Sequence, residues 1–257
     1  MDSQGIPFKF QSHKNYAEVQ YTIAREDIIP YVRKYSSHPE LALDLGCGQG
    51  GATQASNEYL CRTIGLDIED KNIFRRNFVR ASATQLPFCN NFFDVVIMHD
   101  IVEHVPDTEM LMRECKRILK PGGILYVTFP PYFFPYSGHL WNLTSKIKYL
   151  PYAHLLPKKI LYRAILSSKQ IGIFHPNQII RDQETFSKIT ISKFENLCKK
   201  NKLEIESYDF KLSFTAFERG QFLNFFRHLK FLFKIKGLRE IVIPFCLFIV
   251  SNNGAEG

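Results

Sequence analysis

The segment Leu43–Gly51, with the sequence LDLGCGQGG, constrains the fold more than any other part of the chain. A short apolar run ends in a loop with four glycines, and a segment with helical spacing follows it. Glycines at such a strand-to-helix junction allow close approach of the backbone to a ligand. Their spacing fits G-x-G-x-x-G, with Gly46, Gly48 and Gly51, and also G-x-G-x-G, with Gly50 as the third glycine. The segment therefore predicts a nucleotide-type cofactor loop after a buried strand.

Strand and helix patterns alternate through the first half of the chain. Apolar runs predict strands at 41–46, 62–68, 78–83, 93–100 and 124–129, and apolar spacing predicts helices at 12–36 (broken near Pro30), 50–60 and 107–119. A helix and strand over 190–210 and a strand at 241–250 follow later. Such alternation implies right-handed crossovers and a parallel sheet, so we expect an α/β fold.

Residues 131–190 interrupt this pattern. They are rich in Pro, Tyr, Phe and His and show no clean period. A segment of this length between core elements is often a lid or a substrate-binding insertion. We therefore expect residues 1–130 and 191–257 to form the core, with 1–36 as an N-terminal helical cover, and 131–190 to form the insertion.

Composition limits the location and the partners. The six cysteines are scattered without a C-x-x-C motif, which predicts reduced thiols in a cytoplasmic protein and no metal site. The chain shows no signal-peptide pattern and no apolar run of the roughly 18 to 20 residues that span a bilayer. Residues 1–130 hold 14 Lys and Arg against 16 Asp and Glu, whereas residues 131–257 hold 19 against 9. The basic half could face an anionic substrate, a nucleic acid, a membrane or only water.

Two acidic residues indicate which cofactor the loop holds. Asp67 lies 21 residues after Gly46 at the end of the second strand, where an acid accepts hydrogen bonds from ribose hydroxyls. Asp44 lies inside the first strand, where NAD-binding proteins usually have an apolar residue, and its carboxylate could face a ligand's ammonium group. The loop with Asp67 is compatible with NAD and with S-adenosylmethionine, and Asp44 favours S-adenosylmethionine.

The order of several motifs over residues 41–129 resembles class I S-adenosylmethionine-dependent methyltransferases of the type 11 group. The motifs are LDLGCGQG at 43–50, GLD at 65–67, LPF at 86–88 before FDVV at 93–96, EHV at 103–105 and LKPGG at 119–123. The resemblance implies a Rossmann-like, seven-stranded, mostly parallel sheet with the last strand antiparallel, and an insertion after the fifth strand. It also implies S-adenosylmethionine as the cofactor and methyl transfer as the reaction.

The same resemblance assigns residues to the cofactor site. The assigned residues are Asp44, Gly46, Cys47, Gly48, Asp67, Ile68, Ser82, Ala83 and His99. Asp67 is expected to bind the ribose. Ser82 stands where the family often has an Asp that contacts the adenine amine, so that contact is expected to be weaker or made by the backbone. Glu103 and His104 are expected to be structural and not catalytic.

The residues that act on the acceptor are expected in the insertion. The sulfonium already activates the methyl group, so the protein mainly aligns the acceptor and excludes water, and no metal is required. A hydroxyl acceptor also needs a base. His139 and His154 lie among aromatic and apolar residues, where burial favours the neutral imidazole, and they are the predicted bases. His175 is a third candidate, Glu184 could orient one of these histidines, and Asp100 could contact the acceptor.

The acceptor class follows from a second resemblance. The insertion resembles a subgroup with P-P-x-x-S-P-x-G-G-H and P-x-x-H-L-L stretches, many of whose members act in glycan or secondary-metabolite pathways. His139 and His154 match this pattern, whereas Phe134 and Ser137 depart from it. The favoured acceptor is a small molecule with a hydroxyl, such as a sugar or a secondary-metabolite intermediate, and the basic half favours one that contains phosphate. Alternatives are N- or C-methylation of a metabolite, the less favoured methylation of a nucleic acid, and a non-catalytic regulator that binds S-adenosylmethionine.

Two further segments bear on the partners. Phe129–Tyr132 resembles the tetrad of nucleic-acid amino-methyltransferases but follows the fifth strand, and Phe129 has no polar atom to hold an amine. A nucleic-acid partner is therefore not expected. The segment 222–236 mixes aromatic residues with Arg and Lys, which is typical either of a helix packed on the core or of a peripheral membrane contact.

Overall fold

One seven-stranded sheet organises the chain. The computed structural model describes residues 13–74, 77–140, 143–169, 175–211 and 235–254. The strands are β1 (Leu41–Leu45), β2 (Arg62–Asp67), β3 (Phe78–Arg80), β4 (Phe93–His99), β5 (Leu119–Phe129), β6 (Glu204–Lys211) and β7 (Phe245–Ser251). Their order is β3-β2-β1-β4-β5-β7-β6. Strands β1 to β5 are parallel, and β7 pairs antiparallel with β5 and β6. This confirms the predicted Rossmann-like sheet with its antiparallel last strand.

Helices surround the sheet. They are α1 (His13–Ile23), α2 (Ile29–Tyr35), α3 (Gly51–Tyr59), α4 (Thr108–Ile118), α5 (Lys158–Leu166), α6 (Pro176–Thr185), α7 (Ile191–Lys200) and α8 (Lys236–Val242). Short 3₁₀ turns lie at Val102–His104, Lys146–Tyr149 and Ala153–Leu155. None of the helices in these described ranges is both long and apolar enough to cross a bilayer.

Both faces of the sheet are buried. Val96 and Met98 of β4 belong to one apolar core, and Val95 and Ile97 belong to a second core on the other face. This alternation follows from the two-residue period of a strand. A strand covered on both sides reads as a continuous apolar run, which is why the sequence predicts β4 so clearly.

Several predicted boundaries differ from the structure. The N-terminal helix is not broken at Pro30, because that residue lies in the first turn of α2, where a missing N–H costs little. The irregularity is a π-helical turn at Ala24–Ile28. Strand β3 ends at Arg80, and β5 begins at Leu119 instead of residue 124. Met110 is 39% exposed, although it belongs to the apolar spacing that predicted the helix at 107–119.

The predicted strand at 241–250 is in part a helix. Ile241 and Val242 end α8, and β7 begins at Phe245, directly after Pro244. Proline cannot donate a hydrogen bond to the ladder of a central strand, so it separates the two elements. A short apolar run does not by itself distinguish the end of a buried helix from a strand.

The segment between β5 and α7 has its own small core. Leu140, Leu143, Ala153, Leu161, Ile165 and Ile179 pack together as this insertion core. The sequence showed no clean period here, whereas the structure contains α5, α6 and two 3₁₀ turns. The frequent prolines divide these elements into lengths too short for a visible helical repeat.

Candidate active site

The glycine loop connects β1 to α3. Gly46, Gly48 and Gly50 have φ values of 80°, 54° and 86°, a left-handed conformation that glycine adopts without the penalty of a Cβ atom. The backbone N–H groups of Gly46 and Cys47 both donate to the carbonyl oxygen of Leu66, at 2.8 and 3.0 Å. These bonds fix the loop at the carboxyl end of the sheet, where open α/β folds bind ligands.

Helix α1 packs directly on this loop. The backbone N–H of Ala17 donates to Oε1 of Gln49 at 3.1 Å, and Nε2 of Gln20 donates to the carbonyl oxygen of Cys47 at 3.2 Å. A Cβ atom at Gly51 would lie only 1.9 Å from the carbonyl oxygen of Ala17. The close approach of α1 therefore requires glycine at the start of α3.

The two acids singled out from the sequence lie at the loop. Asp44 is buried inside β1 and accepts a hydrogen bond from Oγ1 of Thr53 at 2.6 Å, and burial raises its pKa to about 6. Asp67 ends β2, and its Oδ2 accepts from the N–H of Gly48 at 2.9 Å while its Oδ1 accepts from the N–H of Glu69 at 2.9 Å. Asp67 is therefore bonded to the glycine loop, whereas Asp44 is bonded to the helix that follows the loop.

The remaining residues assigned to the cofactor lie along the same edge of the sheet. Ile68 follows β2 and is exposed, and Ser82 and Ala83 follow β3. The hydroxyl of Ser82 is 2.8 Å from that of Thr84, and Ala83 packs against the main core. The side chain of Cys47 is buried under the loop, so only its backbone could meet a ligand.

A polar corner closes β4 next to β5. Nδ1 of His99 is 2.9 Å from Oγ1 of Thr128, and the same hydroxyl donates to Oδ1 of Asp100 at 2.8 Å. Asp100 has a left-handed φ of 56°, and its N–H points to the Thr128 carbonyl oxygen at 3.2 Å. The bonds to Thr128 fix the direction of His99 and Asp100.

Tyr16 of α1 joins this site, although the sequence indicated only an apolar helix position. Burial, and then the negative charges of four acids, raise its pKa to about 12; the acids are Asp100, Asp67, Asp44 and Glu103. The phenol is therefore protonated, and its ring lies beside the cofactor loop, because a Cβ atom at Gly48 would be 3.9 Å from Cε1 of Tyr16. The helical spacing of Tyr16 did not predict its place beside the cofactor loop, because that place depends on how α1 packs on the loop.

A pocket lies where β5 enters the insertion. Its lining residues are Glu103, Pro130, Tyr132, Ser137, Gly138, His139, Phe186, Lys188 and Ile189. One wall is the 3₁₀ turn that follows β4, and the other walls come from the two ends of the insertion. Residues distant in sequence thus meet at the carboxyl edge of the sheet.

Glu103 places an unsatisfied carboxylate in this pocket. The residue is 5% exposed, and neither carboxylate oxygen has a hydrogen-bond partner among the described residues. Burial, followed by the nearby charge of Asp100, raises its pKa well above the ordinary value. A buried carboxylate with a purely structural role is normally hydrogen-bonded. The expected structural role of Glu103 stays a prediction, and the unbonded carboxylate makes this residue a candidate for contact with a ligand.

His139 is the predicted base that lines the pocket. It has a left-handed φ of 59° and follows Gly138, whose φ is 86°, so a tight turn directs the imidazole inward. The ring centroid is 4.9 Å from that of His104 and 5.2 Å from that of Phe186. Burial, and then the neighbouring His104, lower the pKa of His139 to about 3. The imidazole is therefore neutral at neutral pH.

The other polar candidates from the insertion have different neighbours. Nε2 of His154 is 2.9 Å from the carbonyl oxygen of Tyr132, which makes this nitrogen a donor. His175 caps the N-terminus of α6, and Glu184 accepts from the hydroxyl of Tyr162 at 3.1 Å. In the described part of the chain, none of these three predicted residues lines the pocket.

One cluster near the pocket has the donor types of a metal site. Glu103, His104 and His139 each offer one ligand atom, and these atoms lie within 4.8 Å of one another. Two imidazoles and a carboxylate are ligands that divalent transition metals accept. A metal ion that contradicted the prediction of no metal would therefore bind at these three residues.

Comparison with known proteins identifies the domain. Residues 43–127 match the family model of a methyltransferase domain. An uncharacterised methyltransferase of Mycobacterium leprae is 30% identical over 113 residues, which is 40% of this chain and 42% of that protein. The ubiquinone biosynthesis O-methyltransferase of Rhizobium etli is 32% identical over 96 residues, which is 33% of this chain and 39% of that protein. The chain thus spans about two fifths of the length of these curated relatives.

Solved structures share the fold over most of the chain. A S-adenosylmethionine-dependent methyltransferase from Methanosarcina mazei has a TM-score of 0.54 at 19% identity and covers 86% of this chain and 96% of its own. A phosphoethanolamine N-methyltransferase of Haemonchus contortus, solved with S-adenosyl-L-methionine, has a TM-score of 0.52 at 15% identity and covers 89% of this chain and 53% of its own. Together, the domain match, the glycine loop and the seven-stranded sheet show that this chain carries a class I methyltransferase domain of the S-adenosylmethionine-dependent kind.

Proposed function

We propose that this chain transfers the methyl group of S-adenosylmethionine to a hydroxyl of a small molecule bound in the Glu103–His139 pocket. The observation that carries the proposal is the position of this pocket. It lies at the carboxyl edge of the sheet, one turn beyond the β4 corner, and the charges of Glu103, Asp44 and Asp67 all raise the pKa of Tyr16. Methyl transfer requires that the sulfonium methyl group and the acceptor atom lie in line, so the acceptor pocket has to be next to the cofactor site.

The glycine loop fits the proposed cofactor. A Cβ atom at Gly46 would lie 2.7 Å from the side chain of Ile101, so the close packing of Ile101 on the loop requires glycine there. We assign the ribose hydroxyls to Asp67 and the ammonium group to Asp44. The adenine side is assigned to Ile68, Ser82 and Ala83, and the methionine side to Gly46, Cys47, Gly48 and His99. S-adenosylmethionine supplies a methyl group activated by a sulfonium, so the protein has to orient the acceptor and exclude water.

His139 is the proposed base for the acceptor hydroxyl. A neutral imidazole has one basic ring nitrogen, and a proton that leaves the hydroxyl would move to that nitrogen. Oε1 of Glu103 is 3.9 Å from Nε2 of His139, so Glu103 would stabilise the imidazolium once it has released its own proton. Because burial strongly disfavours the charged form of His139, this stabilisation is central to the proposal.

His154 remains the second proposed histidine. Its ring supports the pocket from outside, because Nε2 is directed at the carbonyl oxygen of Tyr132 and the side chain packs against Gly138. A Cβ atom at Gly138 would lie 2.7 Å from Cβ of His154. We therefore assign His154 to holding the turn that presents His139, within an insertion (131–190) that binds the substrate.

The pocket lining supports a polar acceptor with a flat or cyclic part. Tyr132 and Phe186 offer aromatic faces, and Nζ of Lys188 lies 5.9 Å from the centroid of the Tyr132 ring, where it could meet a phosphate. This set suits a sugar or a natural-product intermediate, and with the reduced cysteines it agrees with a cytoplasmic biosynthetic role. The likeness to an O-methyltransferase of ubiquinone biosynthesis supports oxygen as the acceptor atom.

N-methylation is the second candidate. A buried carboxylate between aromatic rings also suits an ammonium group, and Glu103 lies in such surroundings. The two candidates differ in the charge of the acceptor. A nucleic-acid substrate has no comparable support.

A screen with methyl-labelled S-adenosylmethionine tests the proposal. Hydroxyl-containing sugars and phenols form one arm, amines a second and carbon acids a third. We expect labelled product in the hydroxyl arm, with a loss in His139→Ala of about 100-fold or more. His175→Ala is the control, because His175 lies outside the pocket. Labelling in the amine arm alone would support the second candidate. If His139→Ala and His154→Ala both keep full turnover, the base assignment is wrong.

A further inference from the structure

The middle of the chain is free of acidic residues. Residues 115–181 contain ten Lys and Arg and no Asp or Glu. The rest of the chain holds 23 Lys and Arg against 25 Asp and Glu, so the whole net charge of +8 originates in this segment. A surface built from it attracts anions without internal neutralisation.

The same segment exposes large apolar side chains. Of the eighteen such side chains in the described residues, six lie between residues 149 and 166, with exposures from 37% to 71%. They are Tyr149, Leu150, Tyr152, Leu155, Ile160 and Leu166. Single exposed apolar residues are ordinary, whereas this density within one short stretch marks an interaction surface.

The apolar and basic side chains are presented together. Leu161 and Ile165 of α5 face the insertion core, so helical spacing directs Lys159, Arg163 and Leu166 to the opposite side. In the preceding turn, Nζ of Lys148 lies 5.2 Å from the centroid of the Tyr149 ring. We call residues 146–166 the basic apolar surface.

This surface is joined to the wall of the Glu103–His139 pocket. The backbone N–H of Tyr152 donates to the carbonyl oxygen of Pro135 at 2.5 Å. Gly138, which lines the pocket, is in contact with His154 of the same surface segment. Whatever binds the basic apolar surface therefore contacts the segment that forms the pocket.

We propose that the basic apolar surface docks on an anionic lipid bilayer. Lysine and arginine are drawn to anionic headgroups, while Tyr and Leu side chains enter the boundary between headgroups and acyl chains. A nucleic acid would satisfy the charges but not the aliphatic side chains. The protein would lie on the bilayer surface without crossing it, and this docking does not depend on which molecule accepts the methyl group. Residues 222–234, which the sequence offered as an alternative membrane segment, lie outside the described residues.

Vesicle sedimentation with the full chain tests the proposal. We expect binding to vesicles of phosphatidylcholine with phosphatidylglycerol, little binding to phosphatidylcholine alone, and a decline in binding as salt increases. The triple variant Lys148→Glu, Lys159→Glu and Arg163→Glu should reduce binding by about a hundredfold or more. Replacement of Tyr149 and Leu150 by Ser should also reduce it, because insertion of apolar groups is lost.

A matched control separates local charge from total charge. The variant Lys34→Glu, Lys71→Glu and Lys199→Glu makes the same change in net charge at exposed positions elsewhere and should bind vesicles nearly as the wild type does. Equal loss in both triple variants, equal binding to neutral vesicles, or capture by poly-glutamate with no vesicle binding would overturn the proposal. S-adenosylmethionine titration of each variant verifies its fold and keeps this test independent of the methyl-transfer proposal.

Discussion

Nε2 of His139 lies 3.9 Å from Oε1 of Glu103, and both side chains line one pocket. Burial acts on the two groups in opposite directions, because it lowers the pKa of the histidine and raises that of the glutamate. Both groups are thereby driven to their neutral forms. The pair can accept a proton from a ligand at low cost only when Glu103 is ionised, because the product is then a carboxylate next to an imidazolium.

Glu103→Gln should stabilise the fold while it impairs turnover. The raised pKa in the folded state means that the unfolded chain releases this proton first, so stability falls as pH rises from about 4.5 towards the folded-state pKa. The amide lacks that penalty, and we expect the free energy of unfolding at pH 7.5 to increase by ~1–3 kcal/mol. Urea unfolding at pH 5 and pH 7.5 measures this. Equal destabilisation at both pH values would indicate a structural carboxylate.

His139→Asn should reduce the loss of folding stability at acidic pH. The folded-state pKa of about 3 lies below that of the unfolded chain, so the unfolded chain takes up a proton first as pH falls. The wild type should lose about 1.4 kcal/mol per pH unit from this residue below roughly pH 6.5. The variant should show a shallower decline in urea unfolding between pH 7 and pH 4.5. Parallel curves for the two proteins would mean that His139 is not buried in its neutral form.

Gly51→Ala should displace α1 from the cofactor loop. The added Cβ atom would lie 1.9 Å from the carbonyl oxygen of Ala17, and backbone cannot yield as a flexible side chain can. We expect faster proteolysis before residue 36 and S-adenosylmethionine binding weakened by about tenfold or more. Gly237→Ala is the matched control, because a Cβ atom there meets nothing within 4 Å. Identical protease sensitivity of the two variants would contradict the docking of α1.

Chelation should leave methyl transfer unchanged, because the chemistry of a sulfonium donor needs no Lewis acid. Turnover before and after dialysis against EDTA measures this. Activity that is lost and then restored by Zn²⁺ or Mn²⁺ would contradict the expectation. It would point to Glu103, His104 and His139, whose ligand atoms lie within 4.8 Å of one another.

Features that depend on local sequence could be predicted. The apolar runs gave the strands, since a strand buried on both faces leaves a continuous signature, and Gly46 and Gly48 marked the loop because only glycine readily takes their backbone conformation. Pro244 shows the limit of that signal. The apolar run 241–250 surrounds this proline, and it ends a helix before Pro244 and forms a strand after it.

The pocket could be predicted only in part, because it is assembled from distant segments. Ser187 donates its backbone N–H to the carbonyl oxygen of Glu103 at 2.9 Å, and this bond brings the end of the insertion to the turn after β4. Nothing in the local sequence of Glu103 indicates that contact. In the same way, His139 and His154 look alike in sequence, and the structure distinguishes them because His139 lines the pocket whereas His154 is bonded to the Tyr132 carbonyl.

The central claim is that the glycine loop and Asp67 hold S-adenosylmethionine beside the Glu103–His139 pocket. Isothermal titration of the full chain with S-adenosylmethionine and with NAD tests it most directly. We predict saturable binding of S-adenosylmethionine, no binding of NAD, and affinity for S-adenosylmethionine reduced by about tenfold or more in Asp67→Ala. Binding of NAD without binding of S-adenosylmethionine would contradict the account.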